Sequence, residues 1–354
     1  MSVLCVADMA VKRKLLIRIV IGVMVAAAVA APGVFAGPEV YAGLWRVFVV
    51  GPRHRSLRDV TFARTPERLT RGAYLVQGPL GCFRCHSDRD WNEPGGPPVH
   101  GREGAGHGFA DEDKPWLVAP NLTSDPETGN GRWTDDMMAR AIREGVGHDG
   151  RILAPQMWYL AFSALTDEDV ASVVVYLRSV PPIRNVLPQT QLPLDRKLRY
   201  AGLPSPILGP VVADVSTPQK RGEYLANIAD CAGCHTSWYH PDAPMFTKLF
   251  AGGNSIDGPN HVSIVSPNIT FAPSGIGYYD PELFIAVMRT GHVKARALHG
   301  IMPWAWYGHM SDEDLRDIYS YLQSQESVKH LVDNSEPATF CKLCLERHGG
   351  GDRN

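Results

Sequence analysis

Cys82-Phe83-Arg84-Cys85-His86 and Cys231-Ala232-Gly233-Cys234-His235 are the two stretches from which the rest of the chain is read. Both spell C-x-x-C-H. That spacing lets two thiols add across the vinyl groups of one porphyrin, while the next residue turns its imidazole toward the iron. A zinc site built from both pairs would leave the two histidines without a role, and the pairs lie 149 residues apart. A thioredoxin-like reading needs a βαβ context that the flanking sequence lacks. The pattern therefore predicts two covalently bound haem c groups. They attach through Cys82, Cys85, Cys231 and Cys234, with His86 and His235 as iron ligands.

The chain repeats itself around these motifs. Arg71-Gly72-Ala73-Tyr74-Leu75 precedes the first and Arg221-Gly222-Glu223-Tyr224-Leu225 the second. Pro120-Asn121-Leu122-Thr123 is echoed by Pro267-Asn268-Ile269-Thr270, and Trp133–Gly145 by Tyr279–Gly291. Thr166-Asp167-Glu168-Asp169-Val170 matches Ser311-Asp312-Glu313-Asp314-Leu315. The period far exceeds that of a stacked solenoid, so these are two homologous units. Each reads as a small helical domain. A first helix runs into the attachment pentad, and a second covers 134–144 or 281–290. Thr134, or Asp280 followed by Pro281, starts the second helix, and Gly145 or Gly291 stops it. The last helix begins at Thr166 or Ser311 with a capping-box acid three residues on. It buries Val170, Val173, Val174 and Leu177, or Leu315, Ile318, Tyr319 and Leu322. No alternating segment demands a sheet. The expected domains are 66–180 and 219–330. Between them 181–218, with eight prolines, should be an extended linker strap.

Aligned on the last helix, Met157 and Met302 occupy the same point, each nine residues before the capping residue. A soft thioether suits a haem iron used for electron transfer, so these are the expected second ligands. Met137, Met138, Met288 and Met310 read as core residues on helical faces. His148, His292 and His299 compete poorly, because none has a counterpart in the other unit. Trp158, Tyr159, Phe162, Trp304, Trp306 and Tyr307 should wall the haem edges. The repeated Pro-Asn-Leu/Ile-Thr either bonds a propionate or forms a tight turn.

Thirty-five basic against 37 acidic residues, net −2, give no bias toward nucleic acid. The compartment is set by the N-terminus. Lys12, Arg13, Lys14 and Arg18 precede an uncharged run from Ile19 to Gly37, the layout of a secretory signal or an uncleaved membrane anchor within residues 1–50. Met9 starts a cleaner basic region than Met1, which leaves Cys5 outside the expected product. Either reading exports the chain to the periplasmic side of a bacterial inner membrane.

With these residues in place, RGAYLVQGPLGCFRCHSDRDW, APNLTSDPETGNGRWTDDMMARAIREGVGHDGR and LTDEDVASVVVYLRSVPP resemble the class I, multi-haem bacterial c-type cytochromes. The similarity spans about 66–330. It is greatest to the membrane-associated cytochrome subunits that accept electrons from periplasmic alcohol, aldose or gluconate dehydrogenases. It implies an all-α fold of two tandem cytochrome c-like domains, each enclosing one haem c. By position it supports Cys82, Cys85, His86 and Met157, then Cys231, Cys234, His235 and Met302. The expected function is single-electron transfer between a donor, a dehydrogenase or quinol-linked complex, and a respiratory acceptor. Its partners would be a dehydrogenase, an oxidase or a soluble cytochrome. A catalytic dihaem oxidoreductase, peroxidase-like or thiosulfate-oxidising, is the alternative. Such subunits generally carry three attachment motifs, and here the chain departs. Cys341-Lys342-Leu343-Cys344 is followed by Leu345, with too few residues left to enclose a haem. His348 could join the two thiols in a metal site; a disulfide or free thiols on a flexible tail, 331–354, is the expectation.

Overall fold

Two glycines decide how the first and last helices of each unit meet. In a computed structural model describing residues 54–109, 116–194, 196, 205–237, 248–257 and 263–354, α1 (Pro66–Gln77) crosses α5 (Asp167–Ser179) at Gly72. A Cβ on Gly72 would lie 2.0 Å from the Ser172 carbonyl oxygen. In the second unit α6 (Pro218–Ile228) crosses α10 (Asp312–Gln323), and a Cβ on Gly222 would lie 1.9 Å from the Asp317 oxygen. Only a residue without a side chain permits so close a crossing. The repeated Arg-Gly-x-Tyr-Leu is thus a crossing motif, and it seats Leu75, Leu225, Leu315 and Leu322 in the core.

The other expected helices form with the expected ends. α3 (Asp135–Glu144) is capped by Thr134, whose hydroxyl accepts from the Met137 N–H, and stops at Gly145 with φ 61°. α8 (Pro281–Thr290) is capped by Asp280 and stops at Gly291 with φ 68°. All eight apolar positions read for α5 and α10 are buried. One detail differs. The first helix does not run into the attachment pentad. α1 stops at Gly78, and the pentad starts a separate short helix, α2 (Cys82–Cys85), after Gly81 at φ 54°. Asp230 takes the same left-handed conformation, φ 54°, before α7 (Cys231–His235). The sharp turn frees the thiols from the axis of the preceding helix.

Short helices α4 (Tyr159–Phe162) and α9 (Trp304–Tyr307) complete the ten α-helices among the described residues. No sheet was expected, yet four small antiparallel ribbons are present. β1 (His107–Gly108) pairs with β2 (Val118–Ala119), and β3 (Ser255–Asp257) with β4 (Ser263–Val265). β5 (His292–Val293) pairs with β6 (Arg296–Ala297), and β7 (Ala338–Phe340) with β8 (Arg347–Gly349). With two or three residues a strand, these ribbons are too short to leave an alternating signature.

The units dock through equivalent residues. The Tyr224 hydroxyl donates to Asp169 at 2.6 Å, and the Tyr74 hydroxyl donates to Asp314. Within each unit an arginine backs the same acid: Arg71 forks onto Asp169 with two bonds of 2.8 Å, while Arg221 reaches Asp314 and Asp317. The capping-box acids are therefore diverted. Their backbone N–H groups bond Thr166 and Ser311, but each carboxylate is shared between an arginine of its own unit and a tyrosine of the opposite one. Because residue i of one unit meets j of the other and the converse also holds, the contact is isologous, as in a two-fold dimer.

The expected signal or anchor, residues 1–50, lies outside the described residues. Among those described, no helix is long and apolar enough to cross a membrane. The segment 331–354, expected as a flexible tail, instead carries β7 and β8, with Cys341 and Cys344 fully buried.

Candidate functional site: two haem-attachment motifs

The histidine of each pentad is fixed by the proline of the repeated Pro-Asn-Leu/Ile-Thr. The His86 Nδ1–H donates to the Pro120 carbonyl at 2.7 Å, and the His235 Nδ1–H to Pro267 at 2.8 Å. This leaves Nε2 bare, which is the tautomer an iron ligand needs. Burial pushes the His86 imidazole down to about 4, and that of His235 down as well, so both remain neutral. The His86 and His235 carbonyls are held too, accepting from Gly106 and Gly252.

Of the two readings left open for the Asn and Thr of that motif, the turn is what forms. Asn121 Oδ1 accepts from the Thr123 N–H and hydroxyl, while its amide donates to Ile183 at 2.7 Å. Asn268 does the same with Thr270 and donates to Val328 at 2.7 Å. Each turn thereby pins the segment that follows its unit's last helix.

Cys82, Cys85, His86 and Met157 line one cavity of about 360 Å³, within the range of small-molecule sites. Met157 ends a 3₁₀ turn, Pro155–Met157, and Trp158 and Phe162 stand beside it. The strap closes one side, with Val186, Leu187, Pro188, Gln189 and Thr190 all in the lining. Its Thr190 hydroxyl accepts from the Val118 N–H at 3.0 Å. Trp306 and Tyr307, expected at the second haem, also line this first cavity. The isologous docking carries α9 across to it.

The donor set fits haem c: two thiols and a bare imidazole nitrogen from the pentad, and a thioether from a separate loop. The buried Trp306 indole N–H finds no protein acceptor, which suits a wall built to meet an acidic group. In the second unit Cys231 and Met302 belong to the same core, and Tyr307 donates to the Ala229 carbonyl at 2.6 Å just before the pentad. His148 stacks on Trp133 and His292 bonds the Thr290 carbonyl. Met310 sits in the turn before Ser311, buried, and is not on a helix.

Sequence reasoning missed Arg84, the variable residue inside the first pentad. Its guanidinium stands 5.3 Å over the Trp158 ring and donates to the Ile301 carbonyl at 3.2 Å. Its charge also acts on Cys234 and Tyr307. It therefore sits between the two motifs.

This constellation resembles that of a c-type cytochrome, and the comparisons point the same way. No family model matches the chain. It is 30% identical over 272 residues to the fructose dehydrogenase cytochrome subunit of Gluconobacter japonicus, covering 72% of this chain and 52% of the relative. It is 28% identical over 303 residues to the cytochrome c subunit of the quinone alcohol dehydrogenase of Gluconobacter oxydans, covering 80% and 60%. A diheme cytochrome c-type protein of Cereibacter sphaeroides is 26% identical over 196 residues, covering 54% and 63%. The chain thus spans between half and two thirds of the length of these relatives. It is a relative of bacterial dehydrogenase cytochrome c subunits, and it carries covalently bound haem c.

Proposed function

We propose that the chain is an exported, dihaem electron-transfer subunit, built as two tandem helical domains (66–180 and 219–330), each holding one haem. It passes single electrons from a dehydrogenase to a respiratory acceptor. Haem c, when bound, supplies a one-electron couple. The protein supplies the rest. Cys82 and Cys85, and Cys231 and Cys234, tether; His86 and His235 ligate through Nε2; Met157 and Met302 complete the ligand sets. Trp158, Phe162, Trp306 and Tyr307 exclude water from the first site, which favours the less charged, reduced iron. Arg84 adds a positive charge between the two sites.

The carrying observation is that His86, its Nδ1–H bound to Pro120, shares one cavity with Met157. Two protein ligands leave no position for a substrate. A thiosulfate-oxidising reading draws no support from this cavity, since Cys82 and Cys85 are the cysteines that line it. The test is near-infrared spectroscopy of the oxidised full-length protein. A sulfur-to-iron charge-transfer band at two-haem strength is expected, and Met157→Ala or Met302→Ala should each remove half of it. A high-spin haem that binds cyanide rapidly in the unmutated protein would refute the carrier reading.

A further inference from the structure

His330, Cys341, Cys344 and His348 converge at the C-terminal end of the chain, outside both haem motifs. Their ligand atoms all lie within 4.8 Å of one another, and all four residues are buried. The two sulfur-to-nitrogen distances are the informative ones. Cys341 Sγ is 3.6 Å from His330 Nε2, and Cys344 Sγ is 3.4 Å from His348 Nε2. A tetrahedral zinc ion with sulfur at roughly 2.3 Å and nitrogen at roughly 2.0 Å has S–N edges of about 3.5 Å.

Both imidazoles present the correct nitrogen. His330 Nδ1 bonds the Ala251 carbonyl at 2.7 Å, and His348 Nδ1 bonds the Gly349 carbonyl at 3.0 Å. In each case the Nδ1–H donates outward and Nε2 faces the thiols, which is how backbone carbonyls hold metal-binding histidines. The hairpin supplies the knuckle. Cys341 and Cys344 lie in the turn after β7, and Leu345, at φ 60°, brings the chain back through β8 to place His348. A leucine in the left-handed region is uncommon and is tolerated only where surrounding bonds fix it. Here Leu345 donates to the Cys341 carbonyl and Cys341 to the Glu346 carbonyl.

We infer that these four residues form a structural zinc site that staples the C-terminal segment to the second unit. Binding one Zn²⁺ releases the two thiol protons, so two thiolates balance the divalent charge and the buried centre is neutral. All four tetrahedral positions come from the protein, so the site is closed and has no place for a substrate. The motif was only partly visible in sequence. His348 lies four residues past Cys344, but His330 precedes Cys341 by eleven and follows no familiar spacing. Through Ala251 the site adjoins Gly252, whose N–H bonds the His235 carbonyl at 2.7 Å. The staple therefore borders the loop that holds the second proximal histidine. None of this depends on the electron-transfer reading.

The test uses the full-length, haem-loaded protein purified without added metal. Elemental analysis should give one zinc beside two irons per chain, and zinc-edge X-ray absorption should show two sulfur and two nitrogen neighbours. Cys344→Ser and His348→Gln should each lose the zinc, with haem content reporting whether the variant has folded. If both variants lose haem as well, the absorption spectrum of the unmutated protein decides alone. Three results overturn the inference: copper in place of zinc, a zinc shell without sulfur, or a metal-free chain whose Cys341 and Cys344 form a disulfide even after incubation with zinc.

Discussion

Replacing Gly222 by alanine adds one methyl group where α6 meets α10, and the structure sets its cost. The new Cβ would lie 1.9 Å from the Asp317 carbonyl oxygen and 2.4 Å from its carbon. Both are backbone atoms that no rotamer change can move. Relief requires the helices to part by more than roughly 1 Å, and a gap of that size forfeits a quarter to a half of the dispersion well across the contact. Leu225, Leu315, Ile318 and Leu322 are buried at this interface. At about 2 kcal/mol for burying each side chain, the loss is roughly 2–4 kcal/mol. Alanine returns about 1 kcal/mol through its better helix propensity. The net expectation is a loss of roughly 1–3 kcal/mol, inside the range for overpacked cores. Gly72→Ala, at 2.0 Å from the Ser172 oxygen, should behave alike. Gly108→Ala is the control: no atom lies within 4 Å of its added Cβ. The assay is guanidinium unfolding of the haem-loaded chain, followed by far-ultraviolet circular dichroism. If Gly222→Ala unfolds at the same or a higher denaturant concentration than the unmutated chain, propensity alone governs the position and the crossing argument fails.

Other expectations concern the charges. Burial pushes Asp136 up, but Arg55, bonded at 2.6 and 2.7 Å, and the Arg58 N–H outweigh it and hold the carboxyl below its usual range. Its folded-state pKa is depressed, so the stabilisation is present above about pH 3.9 and is lost as pH falls toward the native value. Arg55→Met should cost about 3–5 kcal/mol at neutral pH by stranding Asp136 and Glu144, and should flatten the acid limb of a stability-versus-pH series; an unchanged acid limb contradicts it. Burial, with Asp314 beside it, pushes Tyr74 up to about 12. Its contribution is complete below about pH 10 and disappears as pH rises toward that value, so Tyr74→Phe should remove this alkaline dependence in thermal melts. Arg84→Gln should lower the midpoint potentials at both sites by on the order of tens of millivolts, because a positive charge favours the less charged, reduced iron. Spectroelectrochemical titration reads this, and a rise in either potential would contradict the placement of Arg84 between the motifs.

What could be read from residue order was whatever recurs locally. Thr134, Asp280, Gly145 and Gly291 act within one turn of chain, so the ends of α3 and α8 are legible. Met157 stood out by its position in the repeat, and it lies in the lining of the cavity with His86. What escaped was set by long-range docking. Nothing near Tyr224 in sequence points to Asp169, and nothing near Trp306 points to the first cavity. The prolines predict an extended strap over 181–218, and its described stretch 181–193 carries no helix or strand, but its place as a wall beside His86 depends on Thr190 meeting Val118. The last segment read as flexible because Gly349, Gly350 and Gly351 dominate its end. The buried Cys341 and Cys344 overrule that composition.

The reciprocal Tyr–Asp docking is what a two-fold dimer becomes when both copies lie on one chain. Two separate, identical copies would hold equal redox centres, and an electron would have no preferred direction between them. On a single chain the halves vary independently. Here Arg84 occupies the inner position of the first pentad, while glycine occupies the equivalent place, Gly233, in the second. The turn before the first pentad is Gly81, and that before the second is Asp230, whose carboxyl burial pushes up to about 6. Fusion keeps the two motifs at a fixed separation at any dilution and lets them differ, and in the proposed dihaem reading that difference gives electron flow its direction.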